Sequence, residues 1–122
     1  MTHDATSTAR AYIQVWNETD ADRRAELLRR FWQKDARYID PLMSGEGIEQ
    51  IGALVGAVHE RFPGFRFDLL GPADGHGEHV RFRWSLGPEG APAPIEGSDV
   101  VRLDDGRIAS VVGFLDKVPA AA

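Results

Sequence analysis

The chain has 122 residues, no cysteine and a net charge of −5. That length fits a single domain, 1–122, able to bury roughly two-thirds of its unfolded surface, while the missing cysteine excludes disulfides and thiolate metal sites. No dense block of lysine and arginine offers a face for nucleic acid, no apolar run is long enough to cross a membrane, and the start lacks a signal peptide's apolar centre, so the expectation is a cytoplasmic domain.

Ala9, Tyr12, Ile13 and Trp16 recur at helical spacing and predict a helix from about Thr6 to Asn17. Asn17-Glu-Thr-Asp20 breaks it, and Asp20 caps a second helix whose apolar side carries Leu27, Leu28, Phe31 and Trp32. A short strand follows from Ala36 to Asp40, and Pro41 biases Asp40 away from helical geometry. Gly45-Glu-Gly47 reads as a turn. A third helix then runs to about Arg61 on the stripe Ile48, Ile51, Leu54, Val55 and Val58, with Pro63-Gly64 stopping it.

The remainder reads as strands. Phe65 to Leu70 alternates, and Gly71 to Gly77 has turn chemistry. From Glu78 to Leu86, Val80, Phe82, Trp84 and Leu86 face one way, and His79, Arg81, Arg83 and Ser85 the other. Gly87 to Pro94 is a long hairpin loop. Ile95 to Leu103 and Ile108 to Lys117 form the last hairpin, closed by Asp104-Asp-Gly106, and the tail Pro119 to Ala122 frays. This order predicts an α+β fold: a curved, mostly antiparallel sheet whose concave face, covered by three N-terminal helices, encloses a cone-shaped pocket.

Two aspartates stand where apolar side chains would normally go. Asp99 shares a strand face with Val101 and Leu103, and Asp40 one with Ala36 and Tyr38. A carboxylate on an apolar face is costly unless it is paired, protonated or put to use, so two of them point to an acid/base pocket. Plainer roles exist for both: Asp40 as a turn residue before proline, Asp99 as a partner of a buried arginine or of Tyr12. Trp16, Trp32, Phe82 and Trp84 are expected as core or pocket wall. His59 lies near the apolar stripe of the third helix, where a helix-end role competes with a pocket role. His76 and His79 flank a glycine turn with no further ligand at suitable spacing, so no metal is expected. Gly45-Glu-Gly47 lacks the dinucleotide spacing, so no cofactor is expected either. Arg81 and Arg83, with Ile108, Val112 and Phe114, make an outer sheet face of the composition that suits a homodimer.

Four segments carry a resemblance: Phe31-Trp-Gln-Lys-Asp-Ala-Arg-Tyr-Ile-Asp-Pro41, Gly47-Ile-Glu-Gln-Ile51, Phe62-Pro-Gly-Phe-Arg-Phe67 and Asp99-Val-Val-Arg-Leu-Asp-Asp-Gly-Arg-Ile108. In this order and spacing the chain resembles the NTF2-like superfamily of α+β cones, which includes the SnoaL-like polyketide cyclases and the ketosteroid isomerases. Asp40 before Pro41 is similar to the proton-shuttling aspartate of the isomerases. Asp99 is similar to their second aspartate, kept neutral to donate to an oxyanion, and Tyr12 to their first-helix tyrosine. Trp32 and Val55 stand where the isomerases carry further tyrosines, and Leu115 where some carry an aromatic wall.

The resemblance therefore implies cofactor-free proton transfer on a small apolar carbonyl compound, either isomerisation or aldol-type cyclisation. Asp40, Asp99 and Tyr12 would be catalytic, with Tyr38, Trp16, Trp32, Val55, Phe82, Trp84, Val101 and Leu115 lining the pocket. It also implies pairing through the outer sheet face. The alternatives are a ligand-binding module without turnover, a protein-interaction domain, and epoxide hydrolysis, for which the arginines fall on the wrong strand parity.

Overall fold

The computed structural model describes residues 4–119, so the tail beyond Pro119 lies outside the described residues. Two aspartates open the first two helices. Asp4 accepts from the Thr6 amide at the start of α1 (Ala5–Asn17), and Asp20 accepts from the Arg23 amide at the start of α2 (Ala21–Phe31). The rest runs β1 (Trp32–Ile39), β2 (Ser44–Glu46), α3 (Ile48–Arg61), β3 (Phe65–His76), β4 (His79–Pro88), β5 (Ile95–Asp104) and β6 (Arg107–Lys117). The strands form one curved, open sheet in the order β2-β1-β6-β5-β4-β3. Only β1 and β6 pair in parallel.

The helices lie over the concave face. α1 packs on β3 and β4, and α3 packs on α2, β1 and β2. Asn17 ties the first of these contacts down. Its side chain donates to the Phe67 carbonyl at 2.9 Å and accepts from the Phe67 amide at 2.8 Å, so a side-chain amide replaces a neighbouring strand. His59 clasps α3 to α1 by pairing its Nε2 with the Trp16 carbonyl at 2.7 Å. The expected stripes are buried: Ala9, Tyr12, Ile13 and Trp16 on α1, Ile51 and Val55 on α3. On β5, Ile95, Gly97, Asp99, Val101 and Leu103 face inward in strict alternation.

Four sequence expectations are corrected. Trp32 is not the end of the second helix. Its amide closes α2 on the Leu28 carbonyl, and its own backbone is already extended, placing its indole in a stack on Tyr12 with ring centroids 5.7 Å apart. Helical and extended geometry at that residue bury the same side, so apolar spacing alone does not separate them. Gly45-Glu46 is strand rather than turn. Gly45 pairs with Tyr38, and the reversal is made by Asp40 to Met43 instead. β3 does not stop at Leu70 but resumes pairing at Asp74 after an irregularity that holds Gly71 and Pro72, and the turn comes at Gly77.

The fourth correction concerns Ile108, which is buried and not on the outer face. The β5–β6 ladder pairs Leu103 with Ile108 but Arg102 with Ser110. Ala109 is therefore an extra residue, and the bulge reverses the parity of the strand. Val112 and Phe114, beyond the bulge, do point outward. The tight end of this hairpin is the Asp105-Gly106 pair, both with positive φ (53° and 80°), the geometry of a two-residue turn that matches strand twist.

Candidate acid/base site

Asp99 sits in the middle of the sheet, facing Phe82 across the β4 ladder and Gly113 across the β6 ladder. It is 2% exposed. One carboxylate oxygen, Oδ2, accepts a hydrogen bond from the Tyr12 hydroxyl of α1. The other, Oδ1, is buried with no protein partner. Burial pushes the Asp99 carboxyl up to about 6, against the opposing pull of the Tyr12 hydrogen bond. Burial also holds the Tyr12 phenol well above its ordinary value, and the Asp99 charge adds to this.

Asp40 stands at the end of β1, half-buried, where its carboxylate organises the turn. Oδ1 accepts from the Leu42 and Met43 amides at 2.7 and 2.9 Å, and Oδ2 accepts from the Tyr38 hydroxyl at 2.6 Å. The carboxylate thus caps the turn and pairs with Tyr38 at once. The Tyr38 phenol, buried at 5% exposure, is raised far above its ordinary value, first by burial and then by the charges of Asp99 and Asp40.

Gly113 brings the two acids together. A methyl group placed on it would lie 2.8 Å from Asp99 Oδ1, 3.2 Å from Asp40 Cβ and 3.6 Å from the Tyr38 hydroxyl. Only a residue without a side chain fits there, between the Asp99 carboxyl group, the Asp40 Cβ and the Tyr38 phenol. Sequence reasoning missed this glycine, although a lone glycine inside an apolar strand is a recognised sign of close approach.

Aromatic rings surround this point. Tyr12 stacks on Trp32 and meets Phe82 edge-on at 5.0 Å, Trp16 lies 5.4 Å from Tyr38 and 5.5 Å from Phe67, and Phe67 meets Trp84 at 5.4 Å. Trp84 in turn lies against Gly97, where a methyl group would collide with the indole. The structure thus gathers Tyr12, Tyr38, Asp40, Asp99, Trp16, Trp32 and Phe82 into one network. Val55 and Val101 are fully buried, and Leu115 is half-buried opposite Gly97. Within this interior the indole N–H groups of Trp16, Trp32 and Trp84 have no protein acceptor. Buried unpaired donors are rare in folded proteins.

Among the described residues, two of the surface clefts are lined by none of Tyr12, Asp40 and Asp99. One of about 410 Å³ lies at the β3–β4 tip beside His76, His79 and Arg81, and one of about 770 Å³ lies between α2, β1, β2 and α3. The rings of His76 and His79 stand 6.1 Å apart, and among the described residues no three His, Cys, Asp or Glu side chains cluster as a metal site would require.

The helix-covered open sheet and the buried polar network define an α+β cone of the NTF2-like kind. Within that class the chain belongs to the SnoaL-like domain family, whose model matches residues 9–111. A candidate isomerase of the SnoaL-like family from Agrobacterium tumefaciens is 46% identical, with a TM-score of 0.87 over 90% of this chain and 95% of that one. A candidate SnoaL-like polyketide cyclase from Jannaschia matches all of this chain and 99% of its own at a TM-score of 0.70 and 17% identity. A candidate ketosteroid isomerase from Kribbella flavida matches 97% of this chain and 82% of its own at 0.70 and 16% identity. These two likenesses concern the fold alone. No curated protein matches the chain. Among the described residues no helix is long and apolar enough to cross a membrane.

Proposed function

We propose that this protein catalyses cofactor-free proton transfer on a small apolar carbonyl compound, as an isomerisation or an aldol-type ring closure. The observation that carries the reading is that Asp40, Asp99 and Tyr38 meet at Gly113, the Asp99 carboxyl, the Asp40 Cβ and the Tyr38 hydroxyl all lying within 3.6 Å of one point. The two acids lie in unlike environments. Asp40 is half-buried and accepts hydrogen bonds from two turn amides and a phenol, whereas Asp99 is dry and raised. Unlike environments for two neighbouring acids are how one site holds both a base and an acid.

In the reaction Asp40 removes the proton next to the carbonyl. Negative charge then develops on the carbonyl oxygen, and donors fixed in advance stabilise it in a dry site far better than water does. The neutral form of Asp99 is such a donor through Oδ1, and Tyr12, whose hydroxyl donates to Oδ2, backs it. Tyr38 orients the base and gives up its hydrogen bond when the substrate proton arrives. The aromatic rings give the acids apolar surroundings, and the turn that carries Asp40 presents Leu42 exposed and Met43 half-buried.

The outer sheet face supports pairing of two copies. Ile39, Val112 and Phe114 are exposed, with Val112 opposite Ile39 in the ladder. Charged pairs rim them, Arg81 with Asp74 and Arg83 with Glu96, giving both signs on one face, as a two-fold contact of a surface with itself requires.

A screen of β,γ-unsaturated and polyketide-like ketones tests the catalytic reading. Wild type is expected to turn over at least one of them, and Asp40→Asn to lose about a hundredfold or more of kcat. Turnover that survives this substitution contradicts the assignment of the base.

A further inference from the structure

The cleft of about 770 Å³ has chemistry of its own, separate from the acids, and its size falls in the range of small-molecule sites. Its floor is apolar. Leu28 and Trp32, each 1% exposed, line it together with Ile48. Three cations from three different elements stand around it: Arg29 on α2, Lys34 on β1 and Arg107 on β6. None of the three is in an ion pair among the described residues, whose ion pairs lie on strands β3 to β6.

Further donors face the same place. α3 begins in the cleft, and its N-cap is Gly47, which offers no side-chain acceptor to the first turn. The N-terminal end of that 14-residue helix adds partial positive charge. Glu46 and Glu49 also line the cleft, but they are outnumbered by the three cations and the helix end, in a chain whose net charge is −5. An apolar floor under unpaired cations defines the occupant.

We propose that this cleft binds an amphipathic organic anion, its aromatic or alicyclic body lying on Leu28, Trp32 and Ile48 and its carboxylate, sulfonate or phosphate held by Arg29, Lys34 and Arg107. The assignment does not depend on the acid/base reading. The two places nevertheless share a wall, because Trp32 also stacks on Tyr12, the partner of Asp99.

Anilinonaphthalene sulfonate is the probe, with its uncharged parent N-phenylnaphthylamine as control, followed by fluorescence and by the indole N–H signals in a nitrogen–proton NMR spectrum, Trp32 being assigned with Trp32→Phe. The anion is expected to bind at one site and to move the Trp32 signal. The double variant Arg29→Gln/Arg107→Gln should weaken it about tenfold or more, the scale of a lost charge-assisted hydrogen bond, and leave the uncharged control unaffected. Both arginines are exposed, so the same spectrum verifies that the variant is folded. Equal affinity of the anion for wild type and variant overturns the proposal. So does a titration that moves the Trp16 or Trp84 signals and leaves Trp32 in place.

Discussion

At the scale of single residues, the burial of the Asp99 carboxyl costs stability. An unfolded aspartate ionises near 3.9, whereas here the folded group holds its proton up to about 6. Above the unfolded value the unfolded chain has lost that proton and the folded one has not, so stability falls with rising pH across this window and the full cost is present above about pH 6. The interval corresponds to ~3 kcal/mol. Asp99→Asn should therefore be more stable than wild type at about pH 8, with an advantage that shrinks towards pH 4, as measured by urea unfolding at both values. An advantage independent of pH would mean that Asp99 is not the group responsible. Gly113→Ala puts a methyl group against Asp99 Oδ1 and should cost about 1–3 kcal/mol as an overpacking substitution, read from its thermal midpoint. The two aspartates were legible in the sequence because strand alternation places them on apolar faces. That Tyr38 shares a face with Asp40 followed from the same parity, whereas the hydrogen bond between them did not. What joins the acids was not legible, because Asp99 and Gly113 meet through a ladder register that no local pattern encodes.

At the scale of elements, the helices are held to the sheet by a few polar clasps as well as by buried stripes. Asn17→Ala removes both hydrogen bonds to the Phe67 backbone and leaves a part-buried amide and carbonyl unpaired. A loss of about 1–3 kcal/mol is expected in urea unfolding, because an unsatisfied buried group costs more than a hydrogen bond gains. An unchanged midpoint would place the α1–β3 contact on its apolar side chains alone. Element type was legible wherever periodicity ran long, as in α1, α3, β4 and β5. It failed at junctions. Trp32 satisfies the apolar spacing of α2 while starting β1, Gly45 looks like turn chemistry but is paired with Tyr38, and the Ala109 bulge turns Ile108 inward. In each case a tertiary contact overrode the local signal.

At the scale of the whole molecule, the surfaces of the cone differ in chemistry. Its inside carries the acid network within an aromatic shell, the cleft beside α3 carries unpaired cations, and the outer face carries exposed apolar side chains. If that outer face joins two copies, wild type sediments as a dimer at micromolar concentration and Phe114→Asp as a monomer, since a charge in the apolar centre of a two-fold contact is repeated across it. A wild-type monomer would leave the face solvated. The order of the segments made the cone and its family readable from the sequence. The filling of its interior by rings was not, because alternation tells which side chains face inward but not how much space they leave.

An oxyanion donor at Asp99 requires that this side chain retain its proton where an ordinary aspartate has lost it. Carbon-13 NMR of the aspartate carboxyl groups, titrated in wild type and assigned with Asp99→Asn, measures this directly. The expected result is an Asp99 midpoint near about 6. A midpoint near the unfolded value of about 3.9 would mean a charged Asp99 at every working pH, with no neutral donor for an oxyanion.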